Sequence, residues 1–355
     1  MTFDLSSLGW DDDLATAYAR YDKPSRCPAR VSRVDRGVCT VLSPSGAMRA
    51  SLAGSMLAAA ACDPVYLPCA GDWVVAHTWP DRRITVEAVL PRRTAIVRAG
   101  AGTEAVAQVL ATNLDTAAVI EPMDPAPDNG RIERLLALAW ESGAAPLLVL
   151  SKADLVPDPT AVADQLAASA PGIPVYPVSA RTGAGLDRLR PHVAHGRTLA
   201  LLGPSGSGKS SLVNALAGAT VMTTQALRAD GRGRHTTTYR ALVPLPDGGS
   251  VLDTPGVRAV GLVDAAVGLD LAFADVGLVA QECRFGDCAH VSEPGCAVLA
   301  AVAAGTLSPR RLENWQRLRR EQAQQTRRRQ DRLSAQARGG WVWASKQEKR
   351  SRARP

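Results

Sequence analysis

The chain has 355 residues and a formal net charge of +7; 46% of its residues are hydrophobic and 4% are aromatic. This length suggests two or three domains with an aliphatic core. No apolar run reaches the roughly 18 residues that a membrane-spanning helix needs. The acidic N-terminus lacks the pattern of a signal peptide. We therefore expect a soluble cytoplasmic protein without a membrane partner.

The positive charge is concentrated at the C-terminal end. Residues 308–355 contain fifteen Lys and Arg but four Asp and Glu, so this segment carries +11 and the preceding residues carry −4. A basic end on a near-neutral body favours a polyanionic partner such as nucleic acid. A helix that is simply solvated is the alternative.

The N-terminal part predicts a small β-barrel after an N-terminal extension, residues 1–26. Short β-type runs separated by Gly and Pro occur within residues 27–97, at 29–37, 38–42, 71–76 and 84–90. This spacing predicts an OB-fold-like barrel, and such barrels often bind oligonucleotides. Arg30, Arg33 and Arg36 are candidates for an RNA-binding surface. A barrel with a purely structural role remains the alternative.

Strand and helix patterns alternate over residues 98–263. Apolar runs at 116–120, 146–150, 175–178 and 198–202 alternate with helical patterns at 131–142, 160–170 and 186–189. The alternation predicts a parallel α/β sheet covered by helices. Residues 264–326 are predicted to form a helical domain, followed by a basic tail, residues 327–355, that is disordered beyond Gln330.

A phosphate-binding loop (P-loop) follows the predicted strand at 198–202. Its sequence fits G-x-x-x-x-G-K-[ST], in which backbone N–H groups surround a polyphosphate. We expect Lys209 to reach the β and γ oxygens and Ser210 to bind Mg²⁺. The predicted nucleotide-binding residues are Gly203, Pro204, Ser205, Gly206, Ser207, Gly208, Lys209, Ser210 and Ser211.

Two segments downstream of the P-loop are typical of nucleotide hydrolases. D-T-P-G at 253–256 ends a predicted strand, where Asp253 can hold Mg²⁺ through water and the Gly256 N–H can approach the γ-phosphate. G-R-H-T-T-T at 233–238 occupies the position of a switch loop, from which Thr237 is expected to bind Mg²⁺. Their order after a P-loop strengthens both interpretations.

Two upstream segments predict a guanine site. S-K-A-D at 151–154 and S-A at 179–180 each follow a predicted strand. Asp154 can accept hydrogen bonds from guanine N1 and N2, a pair that adenine does not offer. The stem of Lys152 can cover the base, and the Ser179–Ala180 backbone can donate to O6. With Ser151 and Ala153, these residues are the predicted base site; an ATP-using P-loop enzyme is a weaker alternative.

A cluster of metal-ligand residues lies in the predicted helical domain. Cys283, Cys288, His290 and Cys296 bring three thiols and one imidazole within fourteen residues. Three thiolates and one nitrogen form a closed tetrahedral set, which is typical of structural zinc. Buried cysteines without a metal are the alternative.

The order of these motifs resembles a known family. The guanine motifs precede the P-loop, GRHTTT and DTPG, so the usual GTPase order is circularly permuted. Together with R-I-E-R-L-L at 131–136, the barrel and the Cys/His cluster, residues 27–325 resemble the ribosome small subunit-dependent GTPases of the RsgA family.

The resemblance implies hydrolysis of GTP to GDP and phosphate, stimulated by the small ribosomal subunit during its late maturation. It also implies the same Cys, Cys, His, Cys zinc ligands. We expect a monomer that binds GTP or GDP with Mg²⁺, one structural Zn²⁺, and the small subunit through its rRNA. On the predicted helix at 307–325, Arg310, Arg311, Arg317, Arg319 and Arg320 are expected to contact phosphates.

Two departures from the usual GTPase pattern bear on the rate of hydrolysis. Ser151 stands where the family usually has Asn, which contacts guanine N7 and tethers the P-loop. Val257 stands where Ras-like enzymes carry the Gln that orients the attacking water. We therefore expect slow intrinsic hydrolysis and name His235 as the candidate water-positioning residue, with a solvated loop histidine as the alternative. The rival function is an rRNA-binding assembly module with a slow or passive nucleotide site.

Overall fold

The N-terminal part of the chain is a five-stranded barrel, as the sequence predicts. The computed structural model describes residues 2–35, 37–99, 107–222, 240–254 and 265–352, with side chains in the last helix through Arg332. The elements of this N-terminal part are α1 (Asp12–Ala19), β1 (Arg26–Asp35), β2 (Val38–Ser43), β3 (Gly46–Leu52), α2 (Gly54–Cys62), β4 (Trp73–Thr78) and β5 (Ile84–Val89). β1 pairs with both β2 and β4 and so closes the barrel.

The N-terminal extension is packed against the barrel. Asp11 caps α1 by accepting from the Leu14 N–H, and Trp10 packs edge-on against Trp73 with ring centroids 5.0 Å apart. Arg30 is 1% exposed and donates to the carbonyls of Leu8, Gly71 and Asn113, so it joins the extension, the barrel and the next domain.

The prediction that Arg30 belongs to an RNA-binding surface at the start of the barrel is therefore wrong. Burial removes its guanidinium from any contact with RNA, and carbonyl oxygens take its hydrogen bonds. Arg33 forms an ion pair with Asp35 at 2.6 Å. Arg36 lies outside the described residues.

The second domain contains the predicted parallel sheet. Its elements are β6 (Ala95–Ala99), β7 (Ala107–Thr112), β8 (Thr116–Pro122), α3 (Asn129–Glu141), β9 (Ala145–Ser151), α4 (Pro159–Ser169), β10 (Val175–Val178), β11 (Thr198–Leu202), α5 (Lys209–Ala217), β12 (Ala241–Pro244) and β13 (Ser250–Asp253). Five parallel strands have the order β10-β9-β8-β11-β13, and β12 adds an antiparallel strand that also pairs with β1 of the barrel. β6 and β7 form a separate antiparallel pair.

Local sequence explains these elements. β8 and β11 are buried along their whole length, which is why most of their residues are apolar on both faces of the sheet. Asp128 and Asp158 accept backbone N–H groups at the starts of α3 and α4, a common way to begin a helix. At 186–189, where the sequence predicts a helix, the structure has the 3₁₀ helix Leu186–Arg188. A second 3₁₀ helix, Arg190–Val193, follows it.

The C-terminal part is helical, as predicted. It contains α6 (Ala266–Ala272), α7 (Ala274–Ala280), α8 (Ala297–Ala303) and α9 (Pro309–Arg352). Beyond Gln330, where disorder was expected, α9 continues to Arg352. Its Arg, Gln, Ala and Lys residues favour helix, and no Pro occurs between Pro309 and Pro355. In the part of the chain that the structure describes, none of the helices has the length and apolar character of a membrane span.

A buried ionic cluster attaches α9 to α3. The Glu133 carboxylate accepts from Arg310 at 2.7 Å, from Arg311 at 3.1 Å and from Asn314. Arg311 is 6% exposed and also forms two hydrogen bonds with Asp275. The prediction that Arg311 contacts phosphates is therefore wrong, and Arg310 is engaged in the same cluster.

The remaining basic side chains at the start of α9 are exposed. Arg317 donates to Asn314, Arg319 lies 4.9 Å from the Trp315 ring centroid, and Arg320 donates to the Gln316 carbonyl. Their exposure is compatible with the predicted contacts to phosphates.

Candidate nucleotide-binding site and metal centre

Three predicted motifs meet at the carboxyl ends of parallel strands. The P-loop follows β11, Ser151 ends β9 and Asp253 ends β13. β11 lies between β8 and β13 in the sheet, and β9 lies on the other side of β8. Ligands of open α/β sheets bind in this position, because the loops that follow parallel strands emerge at one edge.

The P-loop glycines are required by its geometry. A Cβ at Gly203 would lie 2.3 Å from the carbonyl oxygen of Ile120, which is closer than any real contact. Gly208 has φ +88°, a left-handed conformation that favours glycine, immediately before α5 begins. The loop therefore turns tightly from β11 into the N-terminus of α5, where backbone N–H groups can bind an anion.

Lys209 is folded onto the P-loop. Its side chain is buried, and Nζ donates to the carbonyls of Gly203 at 3.0 Å and Pro204 at 2.8 Å. Burial lowers the pKa of Lys209 to about 8, while the nearby Asp253 raises it. The ammonium is thus held at the loop by weak neutral acceptors, which a phosphate can replace.

Asp253 and Ser210 present oxygen ligands beside Lys209. Asp253 is 1% exposed, and its Oδ2 accepts from the Ser210 hydroxyl at 3.4 Å. Among the described residues its Oδ1 has no hydrogen-bond partner. Burial raises the pKa of Asp253 to about 6, while Lys209 and Ser210 lower it. A buried, unsatisfied carboxylate oxygen next to a hydroxyl fits the hard-oxygen donors that Mg²⁺ prefers.

Ser151 tethers the P-loop although it is not Asn. Its hydroxyl donates to the Ser207 carbonyl at 2.7 Å, with the Glu121 carbonyl a more distant acceptor at 3.4 Å. The end of β9 and the P-loop are therefore hydrogen-bonded directly. The serine side chain thus supplies a P-loop tether of the kind that the resemblance implied for Asn.

Asp154 is held by the second guanine segment. The Ser179 hydroxyl donates to its Oδ1 at 2.5 Å, and Arg181 donates to its Oδ2 at 2.9 Å. These bonds, that from Ser179 above all, keep the pKa of Asp154 below its usual value. Lys152 has φ +59°, and its Nζ donates to the Asp124 carbonyl at 3.3 Å.

The structure thus brings most of the predicted nucleotide site together. Ala153 and Ala180 occupy the same two loops as Asp154 and Ser179, and Ser205, Gly206 and Ser211 lie in the P-loop and at the start of α5. The remaining predicted residues His235, Thr237 and Gly256, together with Val257, lie outside the described residues.

Two residues near the site were missed by sequence reasoning. Arg181 directly follows Ser179–Ala180, and that adjacency was the available signal for its contact with Asp154. Asn214 on α5 accepts from the backbone N–H groups of Val221 and Met222 and donates to the Met222 carbonyl. No sequence pattern indicated this contact, because it depends on how the chain returns after α5.

The four predicted zinc ligands converge. The ligand atoms of Cys283, Cys288, His290 and Cys296 all lie within 4.8 Å of one another. The Cys283 and Cys296 sulfurs are 3.9 Å apart, and His290 Nδ1 lies 3.6 and 3.4 Å from them. Tetrahedral zinc, with its usual bond lengths, requires about 3.8 Å between sulfurs and about 3.6 Å between sulfur and nitrogen. The cluster can therefore hold zinc.

Neighbouring elements fix this cluster. His290 has φ +55°, and Cys296 caps α8, its sulfur accepting from the Leu299 N–H. Gln316 on α9 donates to the His290 carbonyl at 2.8 Å, and the ring of Trp315 lies 5.5 Å from that of His290. A metal at this point would cross-link the loop between α7 and α8, and the contacts of His290 with Gln316 and Trp315 connect that loop to α9.

Comparisons with known proteins agree with the motifs. The family model described as RsgA GTPase matches residues 89–263. The small ribosomal subunit biogenesis GTPase RsgA of Streptomyces coelicolor is 52% identical over 89% of this chain and 86% of the relative.

Two solved structures share the fold. YjeQ from Thermotoga maritima is 24% identical, with a TM-score of 0.57, and covers 82% of this chain and 96% of its own. YloQ, described as a circularly permuted GTPase, is 22% identical, with a TM-score of 0.53, and covers 82% and 92%. The relative from Streptomyces coelicolor, 52% identical over most of both chains, shows that the chain belongs to the RsgA GTPase family, and the family-model match, the permuted motif order and the Cys/His cluster agree with it.

Proposed function

We propose that this chain is a cytoplasmic, monomeric GTPase that binds the small ribosomal subunit through rRNA and hydrolyses GTP during the subunit's late maturation. The observation that carries the proposal is the Ser151–Ser207 hydrogen bond of 2.7 Å. It joins the loop that presents Asp154 to the loop that presents Lys209, so one nucleotide can contact both. The relative from Streptomyces coelicolor is named for this process.

The P-loop residues 203–211 bind the phosphates in this proposal. The ammonium of Lys209 moves from the carbonyls of Gly203 and Pro204 to the β and γ oxygens, where charge develops during hydrolysis. Ser210, Thr237 and, through water, Asp253 would hold Mg²⁺, which would supply positive charge to the phosphate oxygens. The backbone N–H of Gly256 donates to the γ-phosphate.

Asp154 selects guanine over adenine. Its carboxylate accepts from guanine N1 and N2, while the Ser179–Ala180 backbone donates to O6. The stem of Lys152, whose loop also contains Ser151 and Ala153, covers the base. The bond from Ser179 keeps the carboxylate ionised and oriented. Arg181, whose side chain is 75% exposed, leaves Oδ2 when the base binds.

His235 positions the attacking water in place of a catalytic glutamine, because Val257 has no polar group. A neutral imidazole can accept a proton from water near pH 7. The expected result of His235→Ala is loss of subunit-stimulated turnover with unchanged GDP affinity. Intact stimulated turnover would refute this role.

Zinc is structural in this proposal. One ion bound by Cys283, Cys288, His290 and Cys296 stabilises the helical domain, whose exposed Arg319 and Arg320 contact rRNA phosphates. Because its four ligands are all protein side chains, the ion has no open position for a reacting water.

The test is nucleotide-dependent docking. The full chain should bind purified small subunits more tightly with a non-hydrolysable GTP analogue than with GDP, and GDP but not ADP should compete for the nucleotide site. Equal affinity for subunits in both nucleotide states would instead support the rival function, an rRNA-binding module with a passive site.

A further inference from the structure

An exposed tryptophan stands at the edge of the barrel. Trp79 immediately follows β4 in the turn to β5, and 36% of its surface is exposed, whereas Trp73 in the same region is 1% exposed. Its ring stacks on that of His77 with centroids 4.4 Å apart and planes 10° apart. A single exposed hydrophobic side chain is common on protein surfaces, so exposure alone does not indicate a binding site.

The position of the indole is fixed by polar contacts. Its Nε1–H donates to the Thr85 hydroxyl at 2.9 Å, and that hydroxyl donates to Glu87 at 2.5 Å. The backbone N–H of Trp79 donates to the Arg83 carbonyl at 2.9 Å. Because the indole's only donor is already used, the ring offers its π-face rather than a hydrogen bond.

One guanidinium lies over this ring, and two further arginines are its neighbours in the sequence or in the strand register. The Arg83 guanidinium lies 5.3 Å from the ring centroid, and the side chain is 60% exposed. Arg82 is next to it in the turn, and Arg26 of β1 is paired with His77 of β4. Of the nearby acids, Asp81 pairs with Arg83 at 3.8 Å and Glu87 accepts from Thr85.

We propose that Trp79 is a stacking platform for an unpaired RNA base, with Arg82 and Arg83 contacting the adjoining phosphates. This inference rests on the proposed function for the identity of the polyanion. An aromatic face flanked by arginines is the chemistry that binds single-stranded nucleic acid irrespective of sequence. Arg83 is exposed, so it can exchange its contact with the ring for a phosphate at little cost.

Duplex RNA does not fit this platform, because paired bases are stacked on their own neighbours. The platform also replaces the surface that the sequence suggested around Arg30, whose side chain is buried. The barrel would therefore recognise a looped-out or single-stranded base, while α9 supplies contacts to the backbone.

The test measures binding of a fluorescein-labelled single-stranded RNA of about eight nucleotides to the full chain, at low and moderate salt, with the same RNA as a duplex in parallel. The variants are Trp79→Ala, Trp79→Phe, which retains a ring, and Arg83→Gln. Tyr66→Ala is the matched control, because Tyr66 is a second exposed aromatic residue of this region. Basal GTP turnover and the thermal midpoint report on folding.

Trp79→Ala should weaken single-stranded binding about ten-fold at both salt concentrations, and Trp79→Phe about two-fold. Trp79→Ala should bind the duplex, and Tyr66→Ala should bind the single strand, with the affinity of the unchanged protein. Arg83→Gln should reduce the salt dependence of binding. Single-stranded affinity of Trp79→Ala within about two-fold of the unchanged protein, or an equal loss on duplex RNA, would overturn the proposal. If Trp79→Ala folds poorly, a loss of single-stranded affinity of about ten-fold or more in Trp79→Phe overturns it instead. Failure of the proposed function would appear separately, as the absence of subunit-stimulated turnover.

Discussion

Glu133 is the residue whose removal should most weaken the attachment of the last helix. Its side chain is 6% exposed and accepts hydrogen bonds from Arg310, Arg311 and Asn314. Glu133→Ala leaves the Arg311 guanidinium, 7% exposed, with Asp275 as its remaining acid. Removing one partner of a buried ion pair costs about 3–5 kcal/mol. Because Asp275 retains two hydrogen bonds to Arg311, we expect about 3 kcal/mol, the low end of that range.

The assay is urea-induced unfolding of the full chain, followed by far-ultraviolet circular dichroism. Glu321→Ala is the matched control, since it removes the same residue type from the same pair of helices. Its ion pair with Arg134 is partly exposed, with side chains 26% and 21% accessible, so we expect a loss below about 1 kcal/mol. If Glu133→Ala destabilises the protein no more than Glu321→Ala does, the assignment of the cluster as the main attachment is refuted.

Three further predictions concern the nucleotide and zinc sites. Asp154→Asn should weaken GDP binding at least about 100-fold, since two charge-assisted hydrogen bonds are lost. It should improve binding of xanthosine diphosphate, whose C2 carbonyl can accept from the new amide. Isothermal titration measures both affinities, and an unchanged GDP affinity would contradict the role of Asp154. The pKa of Asp253, raised by burial to about 6, means that the folded protein holds this proton more tightly than the unfolded chain does. The free energy of unfolding without nucleotide should therefore fall as pH rises from about 4 to about 6, whereas Mg²⁺-dependent GTP binding should weaken below pH 6. Asp253→Asn should abolish both trends. A stability of the unchanged protein that does not vary with pH in this range would refute the raised pKa of Asp253. Chelation should expose Cys283, Cys288 and Cys296 to a thiol reagent and reduce helix content while GDP still binds; protected thiols after complete removal of zinc would show that the ion does not hold this loop.

The fold was predictable where single elements carry strong periodicity or a motif. The buried runs of β8, β9 and β11 and the P-loop specify a parallel sheet with a phosphate site, because both features are local in sequence. The Cys/His cluster was predictable for the same reason, since its four residues fall within fourteen positions. β3 was not predicted because Gly, Ala, Met and Ser have little preference for strands. It is a strand because its backbone pairs with β2 and β5.

The roles of individual arginines were not predictable. Arg30 and Arg311 look like surface cations in the sequence, yet each is buried by partners that are distant along the chain. Their partners, the Asn113 carbonyl and the Glu133 carboxylate, become neighbours only when the domains pack. The contact between Arg181 and Asp154 likewise depends on the proximity of β9 and β10 in the sheet.

The most direct test of the central claim is the rate of phosphate release from GTP by the full chain, measured with and without purified small ribosomal subunits and with ATP as the control. We expect slow turnover of GTP by the protein alone, strong stimulation by the subunits, and no turnover of ATP in either condition. Equal, feeble rates with and without subunits, despite tight GTP binding, would contradict it.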